Sequence, residues 1–286
     1  MNILTVLPSP IAAEIAYRLW GSLGTPEAVH ERDRAVHDAA VTGSLEVNGK
    51  TVTTYTWGSG RRVILLVHGW RSRASRLSRI VGALQAPDAT IVSFDAPGNG
   101  DSPGNRTTVL DYAEAIHQLG ERHGRFEAIV AHSFGVLASF LAVREGTATR
   151  RIVGISGMHD AGALVDQFAH QLSLPARVVS GLRDRIERRT FTVVDDPWSR
   201  FVARIDDPGV PVLLVHDADD RLVRPAQLER IASDHPGAVE VLRTSGLGHS
   251  RILSDPAVLA AVTAFVTASA RRTRSSASSP GTPSRS

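Results

Sequence analysis

Six short apolar runs constrain this chain more than any other feature. They are RRVILLVHG from residue 61, ATIVSFDAPG from 89, FEAIVAHS from 126, RRIVGISG from 150, VPVLLVHDADD from 210 and AVEVLRTSG from 238. Their apolar residues are consecutive rather than alternating, the pattern of a strand covered on both faces. Helical patterns separate most of them, over 74–86, 107–123, 134–146, 225–235 and 256–270, with Pro225 and Asp255-Pro256 marking two helix starts. Strands alternating with helices predict a parallel sheet with helices on both sides, a three-layer α/β/α arrangement.

Three regions lie outside this rhythm. SLEVNGKTVTTYTWG, 44–58, reads as a hairpin, because Asn48-Gly49 supplies the positive φ angles of a tight turn. Residues 1–43 read as a helical extension, with Ile11, Ile15 and Leu19 spaced by four. Residues 157–208 separate two strands by more than a crossover needs and contain helical pieces, DAGALVDQFAHQL and ARVVSGLRDRIERR. They read as a lid inserted into a main domain spanning 44–270. The tail, 271–286, is rich in Ser, Pro and Arg and reads as disordered.

Composition excludes several function classes. With 286 residues, 42% of them apolar, the chain can bury a sizeable core. The net charge of +3 gives no sign of nucleic-acid binding. Only Lys50 among the 32 Lys and Arg residues is a lysine, leaving 31 arginines, and they do not form one patch. Those in the insertion, Arg177, Arg183, Arg185, Arg188, Arg189, Arg200 and Arg204, read first as solvated helix faces and second as an attractor of an anionic acyl chain or carrier. The chain has no cysteine, which excludes disulfides, thiolate catalysis and cysteine-ligated zinc and is compatible with a reducing cytoplasm. The first residues are apolar but lack a cationic start, and Pro8 and Pro10 interrupt them. No stretch reaches the length of a membrane span. The expectation is a soluble cytoplasmic protein acting on a small molecule, with no metal and no cofactor.

The chemistry converges on AHSFG, residues 131–135. A strand that ends in small-x-Ser-x-Gly and opens a helix is a nucleophile elbow. The turn is so tight that only small side chains fit two residues on either side of Ser133, hence Ala131 and Gly135. The competing reading is that Ser133 merely caps a helix. Three other segments favour the chemical one. LLVHGW, 65–70, ends a strand with a turn that can aim the N–H of Trp70 at the site beside that of Phe134, as an oxyanion hole. The segment after 215 carries Asp217, Asp219 and Asp220, any of which can orient an imidazole; the short loop favours Asp220, with Asp217 next. His249 lies in a glycine-bracketed loop after the last strand. Ser133, Asp220 and His249 form the candidate triad. His132 reads as packing around the elbow and His68 as bonding within its own turn.

With DAPGNGDS, 95–102, these motifs make the chain resemble the α/β-hydrolase fold superfamily, in particular bacterial serine hydrolases, over about residues 44–270. The resemblance implies an eight-stranded, mostly parallel sheet, a lid after the sixth strand, and hydrolysis through an acyl-enzyme without a cofactor. It also implies that Asp95 is structural. Haloalkane dehalogenases and epoxide hydrolases share the layout but place aspartate at the elbow, which Ser133 argues against. The expected activity is that of a carboxylesterase. Thioesterase, peptidase and carbon–carbon bond hydrolase stay open, as does a ligand-binding or accessory protein on the same fold. No spacing such as H-E-x-x-H supports a metal-dependent hydrolase.

Overall fold

The structure, a computed structural model, describes residue 4, residues 6–192 and residues 194–268. The stretch 271–286, read as a disordered tail, lies outside the described residues. Two helices come first, α1 (Ser9–Gly21) and α2 (Glu31–Asp38). A hairpin follows, β1 (Val41–Val47) and β2 (Lys50–Gly58), turning through Asn48 and Gly49 at φ of 49° and 73°. The six apolar runs form β3 (Arg62–Val67), β4 (Ala89–Asp95), β5 (Ala128–His132), β6 (Ile152–Ile155), β7 (Val212–Asp217) and β8 (Val239–Thr244). One eight-stranded sheet results, ordered β1-β2-β4-β3-β5-β6-β7-β8. β2 pairs antiparallel with β4, and every pairing from β4 to β8 is parallel.

Successive side chains of a strand point to opposite faces. In β3, Val63, Leu65 and Val67 join the core on one side of the sheet, and Ile64 and Leu66 join the core on the other. Both faces are therefore apolar, which is why the runs do not alternate. The first side also holds α4 (Val109–His123) and α5 (Phe134–Arg144); the second holds α3 (Ser78–Leu84), entered through a 3-10 turn at Ala74–Leu77. Thr108 and Asp111 form a capping box that starts α4.

The stretch 157–208 contains α6 (Ala161–Gln171), α7 (Ala176–Thr190) and α8 (Pro197–Arg200). Helices α9 (Ala226–Asp234), α10 (Gly248–Arg251) and α11 (Pro256–Thr267) complete the chain, and α11 covers the same side as α3. The Asp255 carboxylate caps α11 by accepting from the N–H groups of Ala257 and Val258. No single helix among the described residues is long and apolar enough to cross a membrane.

The face that α1 buries differs from the one its isoleucine spacing predicts. Ile11 and Leu19 are exposed and Ile15 is half-buried against the core, whereas Ala12, Ala13, Ala16, Tyr17 and Trp20 are buried. The reason is α7. A Cβ added to Gly181 would stand only 2.8 Å from the Ala13 Cβ, an approach open only to small residues. Glu14 binds Arg185 at 3.2 Å and Arg189 at 2.8 Å, and the Tyr17 hydroxyl meets that of Thr190 at 3.2 Å.

At the carboxyl end of β4, Asp95 is fully buried and organises the turn that follows. It accepts from Ala74 N–H at 2.7 Å, Asp101 N–H at 2.8 Å and the Tyr55 hydroxyl at 2.8 Å, with Arg73 at 3.6 Å. Burial and the carboxylates of Asp95 and Asp101 push the Tyr55 phenol far above its usual range. Removing one partner strands the others in the interior. Asp95→Ala is expected to destabilise the fold by about 3 kcal/mol, read from urea unfolding; a change within error would show that water replaces the carboxylate.

Candidate active site

Ser133 stands between the last residue of β5 and the first of α5. Its φ of 55° and ψ of −122° lie where non-glycine residues are seldom found. Neighbouring backbone enforces that conformation. A Cβ added to Gly135 would stand 2.5 Å from the His68 carbonyl oxygen and 2.7 Å from that of Val67, so the helix can approach β3 only with glycine there. Ser133 N–H donates to Ile155 O at 2.9 Å, tying the turn to β6. Ala131 is buried. Gly69 meets the elbow from the β3 side, where an added Cβ would stand 2.9 Å from the Ser133 Cβ.

The hydroxyl has a partner from a distant segment. His249 Nε2 lies 3.1 Å from Ser133 Oγ, and His249 Nδ1 lies 2.8 Å from Asp220 Oδ2. The other Asp220 oxygen accepts from the N–H groups of Leu222 and Val223, both at 2.9 Å. Burial opposes ionisation of Asp220, but the His249 ring and those two N–H groups outweigh it and hold its carboxyl below the usual range. An ionised Asp220 accepts from Nδ1–H, which leaves Nε2 free to accept from the serine hydroxyl.

Among the three aspartates, the geometry brings only Asp220 to the imidazole. Asp219 is exposed and accepts from Gly246 N–H at 2.8 Å. Asp217 is buried and organises the histidine loop. Its carboxylate accepts from the Thr244 hydroxyl at 2.7 Å, Gly248 N–H at 2.9 Å, Asp219 N–H at 3.0 Å and Leu247 N–H at 3.1 Å. Burial opposes its charge, yet these donors hold its carboxyl below the usual range.

Two further histidines stand near the serine. His68 donates Nδ1–H to Gly69 O at 2.7 Å and accepts from Ala96 N–H at 3.0 Å through Nε2, which fixes the turn leading to Trp70. Burial lowers its pKa, in keeping with that neutral tautomer. His132 does more than pack. Its Nε2–H donates to the His249 carbonyl at 3.0 Å, and the two rings lie 4.7 Å apart. Burial, then repulsion from His249, pushes the His132 pKa down to about 3. A neutral His132 thus anchors the backbone of the loop carrying His249, a link between positions 117 apart that no sequence pattern announces.

Ser133, His249 and His132 line a pocket of about 350 Å³. Trp70 is one wall, edge-on to Phe134 at 5.1 Å and stacked on Trp20 at 5.9 Å. The insertion adds Met158, Leu164, Gln167 and Phe168. Residues 1–43, to which the sequence assigns no part in the site, supply Trp20 and Glu27. No group of three or more His, Asp or Glu among the described residues is placed to hold a metal ion.

A serine on a strained strand-to-helix turn, in a mostly parallel eight-stranded sheet, defines the class. The chain belongs to the alpha/beta hydrolase family, whose model matches residues 64–262. Similar solved structures include a membrane phospholipase A described as a bacterial virulence factor, at 18% identity and a TM-score of 0.60, covering 82% of this chain and 88% of that one. Mouse alpha/beta hydrolase domain-containing protein 10 is similar at 17% identity and a TM-score of 0.61, with 79% and 97% covered. Naproxen esterase from Bacillus subtilis is similar at 15% identity and a TM-score of 0.58, with 88% and 98% covered. At these identities the likeness is one of fold. No curated protein matches the sequence.

Asp217 gives the site an acid-sensitive joint. Its carboxyl pKa is lower in the folded chain than the ~3.9 of a free aspartate. The stabilisation is therefore complete above about pH 4 and is lost as pH falls through the folded value. In urea unfolding across pH 7 to 3, Asp217→Asn is expected to be clearly less stable than wild type at pH 7, with the gap closing in acid. A gap independent of pH would remove the carboxylate's charge from the account.

Proposed function

We propose that this protein is a serine hydrolase that cleaves carboxylic esters, or thioesters, through an acyl-enzyme. One observation carries the reading: an unbroken hydrogen-bonded chain from Asp220 through His249 to Ser133, at 2.8 and 3.1 Å, opening into a cavity. In this mechanism His249 Nε2 takes the Ser133 proton as Oγ attacks the acyl carbon. The imidazolium is stabilised by Asp220, which keeps the ring in the tautomer that can accept. Charge gathers on the former carbonyl oxygen, and the N–H groups of Phe134 and Trp70 are its proposed donors. Phe134 begins α5, so the positive end of that helix lies beside the same oxygen. His249 then protonates the leaving group, activates water, and the acid departs.

Carboxylesterase is the favoured activity, since serine chemistry needs only an acyl donor and most of the pocket's named walls, Trp20, Trp70, Met158, Leu164 and Phe168, are apolar or aromatic. Helices α6 to α8 act in this reading as the lid that bounds the acyl chain.

Ser133→Ala is expected to lower kcat for p-nitrophenyl acetate by at least ~10⁴-fold with circular dichroism unchanged. Fluorophosphonate should label wild type at Ser133 and leave the variant unlabelled; an unlabelled wild-type serine would favour a binding protein instead. Asp220→Asn, which turns the ring towards the wrong tautomer, should cost roughly 10³–10⁴-fold in kcat. Wild-type turnover in that variant would sink the assignment of the acid.

A further inference from the structure

A second cavity, of about 370 Å³, opens beside the first and shares Met158, Gln167, Gln171 and Leu222 with it. It is lined by two cations from the loop that follows Asp220, Arg221 and Arg224. Their setting differs from that of the insertion arginines. Arg183, Arg185, Arg188, Arg189, Arg200 and Arg204 each face a carboxylate within ion-pair distance. Asp166 is the carboxylate lining the second cavity, and Arg183 engages it at 2.7 Å. Among the described residues no ion pair or side-chain hydrogen bond engages Arg221 or Arg224. The second cavity, which adjoins the pocket holding Ser133, thus carries two exposed cations without an ion-pair partner. The wall shared by the two cavities holds a further unmet group, because Gln167 Oε1 is buried without a hydrogen-bond partner. An N–H or O–H on a bound molecule would satisfy it.

We propose that the second cavity binds an anionic group, a carboxylate or a phosphate, of a substrate whose acyl carbon reacts at Ser133, with Arg221 and Arg224 as the cationic ligands. The inference rests on the serine-hydrolase reading and narrows its substrate class to charged esters or thioesters. Guanidinium forks match both anions in a two-point fashion, and two neighbouring cations without counter-ions gain from one. The neutral chain between anion and acyl carbon would cross Met158 and Leu222, with Gln167 and Gln171 as polar contacts.

Two matched pairs test this in the full chain. p-Nitrophenyl glutarate is compared with p-nitrophenyl valerate, which has the same chain length and no carboxylate. Valeryl phosphopantetheine is compared with valeryl pantetheine, which lacks only the phosphate. The proposal expects the charged member of at least one pair to be preferred in kcat/KM. Arg221→Gln and Arg224→Gln should each reduce that charged-to-neutral ratio by roughly tenfold, through KM rather than kcat. The preference should also fade as salt rises. The pair that responds identifies the anion. Ratios that neither variant alters, in either pair, overturn the proposal while leaving the hydrolase reading intact. If no ester is turned over, calorimetric binding of the four compounds decides the matter separately: tighter binding of a charged member, lost in both arginine variants, supports the site, and equal binding refutes it.

Discussion

The contact on which the site depends is the approach of α5 to β3. With glycine at 135, the first turn of the helix comes close enough that an added Cβ would meet the carbonyl oxygens of Val67 and His68. That closeness obliges the chain to turn sharply at Ser133, and the turn demands a positive φ from a residue with a side chain. Strain of this kind persists only where packing over-determines it. Here three neighbours do so: β3 through Gly135, β6 through Ile155 O, and the His68–Trp70 turn through Gly69. The hydroxyl's position is thus set by the sheet rather than by its own rotamer alone.

Around that fixed point, neighbouring carboxylates divide the work. Asp217 and Asp220 leave the end of the same strand, three residues apart in sequence, yet face different targets. Asp217 collects backbone N–H groups from the loop that carries His249, and Asp220 receives the ring itself. His132 adds a third restraint by donating to the His249 carbonyl. A flexible, glycine-bracketed loop becomes a precise one because its amides and one of its carbonyls have partners in the folded body. For the two aspartates charge is the means: these buried carboxylates stay ionised because donors surround them.

The first helix joins the site to the insertion. Its alanine face lies against α7, its Glu14 draws in Arg185 and Arg189, and its Trp20 stacks on the wall of the Ser133 pocket. A segment that the sequence marks only as an extension thereby shapes the cavity. Six of the insertion arginines face nearby acids, whereas Arg221 and Arg224, on the loop after β7, bring positive charge without an ion-pair partner to the cavity beside the site.

Local pattern determined the six parallel strands, their alternation with helices, the Asn48-Gly49 hairpin and the elbow, because each follows from side-chain size and period within a few residues. It also isolated Ser133 and His249, since a small-residue turn and a glycine-bracketed histidine are local signals. Among Asp217, Asp219 and Asp220 the sequence only favoured Asp220; the tertiary structure decided, because the three share one strand end and one chemistry and their direction in space distinguishes them. The same holds for the buried face of α1, where isoleucine spacing pointed one way and the close fit of Ala13 to Gly181 decided the other. Trp20 entered the site unannounced, and His132, which the sequence places at the elbow, gained its bond to the His249 carbonyl only on folding, because each contact depends on partners that only folding brings within a few ångströms.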